Sequence, residues 1–188
     1  MAVRASTRKS TVFSSRIILV FWTMLKCWFF NRVVVGGALS ENDLETVEKV
    51  ELDKYLGKWF EIAHLPAGFQ DGCNQTTATY SLLDNGNISV LNECNKNGKY
   101  KKAKGTAKIV DKQTGAKLKV TFFWPFYGDY WIIKLGANYD YSIVGTPNRK
   151  YLWILSRTPK IDQTLYSELT EFAKSKGFNT NNLILTIQ

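Results

Sequence analysis

Few residues in this chain could do acid–base, nucleophilic or metal chemistry. Its 188 residues include one histidine, His64, and three cysteines, Cys27, Cys73 and Cys94. A single imidazole excludes a three-histidine zinc centre and an H-E-x-x-H helix. No cofactor motif occurs, so neither a cofactor nor a metal site is expected. Proton transfer or nucleophilic attack would fall to Glu61, to the tyrosines, or to a reduced cysteine such as Cys94. A cysteine nucleophile needs a base beside it, and the sequence offers no histidine next to Cys94. These residues point to a binding protein rather than an enzyme.

The aromatic residues carry more information. They make up 14% of the chain, and two stretches concentrate them beside glycine or proline: LGKWFEIAHLP at 56–66 and FFWPFYGDYW at 122–131. A tyrosine at the mouth of a cavity can offer its hydroxyl to a carboxylate or phosphate while its ring stays apolar. Phe126, Tyr127 and Tyr130 are therefore candidates for a ligand entrance, with simple hairpin packing as the alternative. Lys96, Lys99, Lys101, Lys102, Lys104 and Lys108 crowd another stretch. They read as a solvated outer face guarding a sheet edge, or as a contact for anionic lipid. No recognition helix or stacking motif accompanies the charge, so nucleic acid is not an expected partner.

The elements that must position these residues are mostly strands. From residue 57 turn signals fall about every ten residues, which predicts strands over 57–64, 75–83, 87–94, 99–110, 117–123, 130–135, 141–146 and 151–157. The turns expected between them include Asp84-Asn85-Gly86, Asn97-Gly98 and Tyr127-Gly128-Asp129. Eight such strands, joined by short loops, close into an all-β, antiparallel up-and-down barrel. After Pro159, Asp162 caps a predicted helix reaching Lys176. Its Leu165, Leu169, Phe172 and Ala173 form one stripe to pack on the barrel wall. A short strand over 183–187 follows.

Alternation separates inside from outside. Ala78, Tyr80 and Leu82 are expected to point in, with Ile88 and Val90 opposite them, and Leu118, Val120 and Phe122 from the fifth strand. An eight-stranded barrel has room for its own side chains or for one small ligand. One end must be sealed against water. Trp59, at the start of the first strand, is expected to lie across it, with Gly57 letting the chain cross beneath without a side chain in the way. Arg157, ending the eighth strand, would then stack on the indole as a cation–π lid. The same parity turns Leu155, Trp153 and Tyr151 inward. It also turns Glu61 inward, where the carboxylate must be hydrogen-bonded or protonated, or the strand must bulge.

Cys73 and Cys94 flank a hairpin centred near Asn85. A disulfide between them requires a bulge or a longer loop; the alternative is two separate buried thiols.

Residues 1–40 stand apart from the domain expected over 41–188. The net charge of +9 is uneven, because residues 1–44 hold six basic residues and two acidic ones. A basic start, the apolar run IILVFWTMLKCWFF at 17–30, and small residues at 36–38 resemble a secretory signal. An uncleaved anchor and lipid attachment at Cys27 are the alternatives, although Lys26 occupies the place where a lipoprotein signal wants a small residue. Export is expected on any of these readings. The tripeptides Asn74-Gln75-Thr76 and Asn87-Ile88-Ser89 match the N-glycosylation sequon.

Gly57-x-Trp59 on the first strand, Tyr139-Asp140-Tyr141 entering the seventh and Arg157 closing the eighth, in that order, resemble the lipocalin family. The stretches TATYSLLDNGNISVLN and YLWILSRTP, with the two aromatic ones above, resemble in particular its bacterial outer-membrane and apolipoprotein D-like members. The resemblance covers residues 50–188 and implies binding, transport or storage of a small hydrophobic ligand at the cell envelope. It further implies a fatty acid or lysophospholipid as cargo, and a lipid-anchored form in the outer membrane for bacterial members. Ala78, Tyr80, Val90, Val120, Phe122, Phe126, Tyr127, Tyr130, Tyr151, Trp153 and Leu155 are the expected ligand-lining residues. The alternatives are a lipid-modifying or isomerising enzyme on the same barrel, and an envelope interaction protein working through its lysine face or as a homodimer.

Overall fold

The computed structural model describes residues 44–188. The leader and Cys27 lie outside the described residues. After an extended stretch and a one-turn helix α1 (Leu52–Tyr55), eight strands follow as antiparallel neighbours. They are β1 (Gly57–His64), β2 (Cys73–Leu82), β3 (Ile88–Lys96), β4 (Lys99–Ile109), β5 (Lys117–Phe123), β6 (Phe126–Leu135), β7 (Tyr141–Gly145) and β8 (Leu152–Ser156). β1 pairs with both β2 and β8, which closes the barrel. Helix α2 (Gln163–Ser175) and a two-residue strand β9 (Ile184–Leu185) complete the fold.

The barrel matches the expectation from loop spacing, with one substantive shift. Phe123 pairs with Phe126, so the fifth turn is Trp124-Pro125, and Tyr127, Gly128 and Asp129 belong to β6 rather than to a turn. Gly128 pairs with Val120 in mid-ladder. The proline, which has no N–H to give a ladder, takes the turn instead.

Two apolar cores lie on either side of the sheet. Outside the barrel, Ile62, Ala63, Ile133, Ile143, Leu152 and Ile154 face α2, which contributes the fully buried Leu169 and Ala173 of the predicted stripe. Asp162 caps that helix, accepting the Leu165 N–H at 2.8 Å. Inside, Trp59, Tyr80, Val90, Leu118, Val144 and Leu155 pack with Tyr55 of α1. Leu82 shares their parity but stands half-exposed at the strand end.

β1 and β2 stay paired only from Gly57–Tyr80 to Phe60–Thr77 and then diverge. The C-terminal segment fills the gap. β9 pairs with Ala63 and His64, the Thr186 N–H donates to the Ile62 carbonyl at 2.9 Å, and the Gln75 N–H donates to the Ile187 carbonyl at 2.6 Å. A bulge in β1 between Glu61 and Ala63 accompanies this divergence, so that Ala63 follows Ile62 onto the helix-side core and His64 turns inward.

Candidate functional site

The barrel has a sealed end and an open one, and the sealed end is built around Trp59. The indole is fully buried and its Nε1 donates to the Tyr55 carbonyl at 2.8 Å. The Arg157 guanidinium carbon stands 3.9 Å from the ring centroid. Its Nη2 donates to the carbonyls of Lys54, Tyr55 and Leu56, its Nη1 to Lys58, and its Nε to Tyr139. Arginine thus caps the end of α1 and covers the indole at once. Gly57 has φ +92°, while a Cβ there would rest at an ordinary 3.4 Å from Arg157 Nη1. The backbone sign, more than lack of room, requires glycine.

Beside Trp59 lies a row of hydroxyls. Tyr80 and Tyr130 are bonded at 2.8 Å, Tyr130 and Tyr55 at 2.8 Å, and Tyr55 meets Ser142 at 3.3 Å. Burial pushes the Tyr55 hydroxyl up to about 12; burial first, then the Tyr55 phenol, raises Tyr80, and burial with both neighbouring phenols raises Tyr130. A cavity of about 10 Å³ remains beside the row, lined by Val50, Leu52, Ile88, Ala107, Leu118 and Ile132. That is the lower limit for a single water, so this half of the barrel is a filled floor.

The other half differs in its side chains. Ala78, Asn92, Ala103, Gly105 and Gly128 share the inward parity of their strands, and all are small or short. A Cβ on Gly105 would lie 2.6 Å from the Thr121 carbonyl and 2.8 Å from the Phe122 ring, so Phe122 lies directly over that glycine. Val120 and Trp153 are partly buried against the floor. Tyr151 stacks on Trp153 with centroids 6.0 Å apart, and Phe69 follows at 6.1 Å from Tyr151. Towards the open end the inward positions thus mix short residues with large aromatics, Phe122 lying over Gly105 and Tyr151 and Trp153 stacked at the start of β8, the pattern of an aromatic cup.

Glu61 does point inward, and it is only 4% exposed. Both outcomes expected for it occur together, hydrogen bonding and a neighbouring bulge. Gln70 Nε2 donates to Glu61 Oε2 at 2.7 Å and Thr186 Oγ1 to Oε1 at 2.6 Å. Gln70 in turn accepts from Trp153 Nε1 at 2.8 Å. His64 lies 3.9 Å from Glu61, with its Nδ1 against the Leu65 carbonyl. Gln70 sits on a short 3-10 helix, Gly68–Gln70, in the loop after β1. The carboxylate therefore ties that loop, the C-terminal segment and the Trp153 wall together.

The expected lining residues divide three ways. Tyr80, Val90, Tyr130 and Leu155 belong to the floor. Ala78, Val120, Phe122, Tyr151 and Trp153 surround the cup, and Phe126 stands at its rim, 71% exposed. Tyr127 does not join them. It shares the outward parity of Asp129, and the Lys108 ammonium lies 4.8 Å from its ring centroid on the outer wall. The reason is the displaced turn, which puts Tyr127 inside a strand and so fixes its face. Lys102, Lys104 and Lys108 share the outward parity, whereas Lys101 pairs with Cys94 at the open end. Cys73 and Cys94 form a disulfide, with Cα atoms 5.5 Å apart, made possible by a register shift between Asn74 and Thr77. Sequence reasoning passed over Tyr55, Ser142 and Gln70, none of which sits in a motif.

The family model for a lipocalin-like domain matches residues 50–188. The outer membrane lipoprotein Blc of Vibrio cholerae is 42% identical over 160 residues, covering 83% of this chain and 94% of that one. Temperature-induced lipocalin-1 of Arabidopsis thaliana is 39% identical, covering 79% and 85%. Mouse apolipoprotein D is 36% identical, covering 75% and 78%. Among solved structures, insecticyanin from the tobacco hornworm superposes with a TM-score of 0.63 at 23% identity, over 78% of this chain and 85% of that one. Sealed floor, aromatic cup, helix on the wall and these relatives agree: the chain belongs to the lipocalin family, whose barrels bind small hydrophobic ligands.

Proposed function

We propose that the protein is an exported carrier or store for a lipid with one acyl chain, a fatty acid or a lysophospholipid, at the cell envelope. The observation that carries this reading is the division of the barrel into a filled floor and an open-end half where the aromatic side chains of Phe122, Tyr151 and Trp153 stand among short inward residues such as Asn92, Ala103 and Gly128. Ala78, Val120, Phe122, Tyr151 and Trp153 would line the acyl chain, with Phe126 at the entrance. Affinity would come from burying the chain, at about 25 cal/mol per Å² of apolar surface. Relatives named as outer membrane lipoproteins support the location. Catalysis is the weaker reading, because the candidate groups are already engaged: Cys94 in its disulfide, and Glu61 by Gln70 and Thr186.

The test is titration of the delipidated protein with a lysophospholipid and with a fatty acid of matching chain length, followed by tryptophan fluorescence. Saturation near one ligand per chain, lost in a folded Trp153→Glu or Phe122→Glu variant, is expected. A folded barrel with no response to either lipid refutes the proposal, and binding retained by both variants refutes the assigned lining.

A further inference from the structure

In an up-and-down barrel the turns β1–β2, β3–β4, β5–β6 and β7–β8 share one end, here the open one. The β5–β6 turn projects Phe123, Trp124 and Phe126, which are 75%, 77% and 71% exposed, and Phe69 of the β1–β2 loop is exposed as well. Large aromatics seldom stand free in a group, and such a patch marks a surface that meets something apolar. The segments around it are cationic. Residues 65–72, 96–101, 122–127 and 146–151 contain Lys96, Lys99, Lys101, Arg149 and Lys150 and a single carboxylate, Asp71. Phe123 and Phe126 stack at 6.3 Å, so the tip is a preformed, convex knob.

We infer that this rim is a docking surface for an anionic lipid bilayer, with the Phe123–Phe126 knob entering the interface and the lysines resting on the headgroups. Charge decides between a bilayer and a second copy of this chain. Two copies meeting rim to rim would bring like-charged lysines together, whereas anionic headgroups attract them. Aromatic tips flanked by lysines suit the boundary between acyl chains and water, where ring and alkyl stem lie in the apolar layer and the charge stays wet. Docking in this way would set the cup opening against the membrane. The inference does not depend on the cup holding lipid.

The experiment uses the full chain with phosphatidylcholine vesicles, with and without phosphatidylglycerol, and with acyl-brominated lipid as the quencher. Subtracting the emission of Trp124→Phe from that of the unaltered protein isolates Trp124, and the leader contributes equally to both. The expected result is a blue-shifted Trp124 component that brominated lipid quenches on anionic vesicles. Changing Lys96, Lys99 and Lys101 together to Gln should weaken that quenching roughly a hundredfold in lipid concentration. Vesicle-bound protein whose Trp124 component stays unquenched overturns the inference. So does a Trp124 component that becomes shielded with rising protein concentration in the absence of lipid, the signature of a second copy.

Discussion

The guanidinium of Arg157 stands 3.9 Å over the centroid of the Trp59 ring, and it also donates to carbonyls of five residues at the sealed end of the barrel. An ammonium could keep the charge but not this fan of contacts. Arg157→Lys should therefore lower stability by about 3 kcal/mol, from lost charged hydrogen bonds and a weaker cation–π contact. Urea denaturation would measure the loss. A change below half a kcal/mol would mean the carbonyls are served equally well by water.

Gly57 gives a separable effect. Its φ of +92° is costly for any residue with a Cβ, yet the nearest atom to that Cβ would be 3.4 Å away. Gly57→Ala should cost about 1–2 kcal/mol through backbone strain alone, leaving Trp59 emission unchanged. A red-shifted Trp59 would show instead that the floor had opened.

Gly105 presents the opposite case, ordinary backbone with no space. A Cβ would meet the Thr121 carbonyl at 2.6 Å and Phe122 at 2.8 Å. Gly105→Ala should force Phe122 and the β4–β5 pairing apart at a cost of about 1–3 kcal/mol. Thermal unfolding measures the cost, and ligand titration should show weakened binding alongside it.

Alkaline titration tests the row of hydroxyls. Tyr55 is raised from its ordinary value to about 12, so the folded protein holds this proton more tightly than the unfolded chain. The stability it contributes is complete below pH 10 and is lost as pH rises from about 10 towards 12. Phenolate absorbance should show exposed tyrosines ionising first, and the last three, Tyr55, Tyr80 and Tyr130, ionising only as circular dichroism reports unfolding. Ionisation of all nine tyrosines before unfolding would contradict it.

The Cys73–Cys94 disulfide closes a loop with a sequence separation of 21 residues. Replacing both cysteines by serine should lower stability by about 3 kcal/mol, read from thermal or urea unfolding. The barrel's own cores should still hold it folded.

The barrel and its helix were legible because their signals are local: turn residues every ten positions, alternation within each strand, a capped stripe after Asp162. Trp59 and Arg157 could be paired because closure makes the first and last strands neighbours. What stayed hidden depends on irregularity. The bulge at Ile62, the shift at Gln75–Thr76 and the turn at Trp124-Pro125 each change parity without an unambiguous residue to announce them. Tyr127 was misplaced for that reason. Gln70 and Thr186 were missed because their partner, Glu61, lies in another element, and the residue types alone do not suggest the bond.

The tyrosine row has a property that no single bond in it reveals. Each of the hydroxyls of Tyr80, Tyr130, Tyr55 and Ser142 owns one proton, and three contacts link them in a line. Three contacts use three of the four protons, so the bonds all point towards whichever hydroxyl sends its own proton elsewhere. When that is an end of the line, every oxygen gives to the next in one direction. Anything that accepts a hydrogen bond at the Tyr80 end would therefore polarise the barrel floor, fixing the orientation of a hydroxyl as far away as Ser142, and reversing that direction would require all four hydroxyls to rotate together.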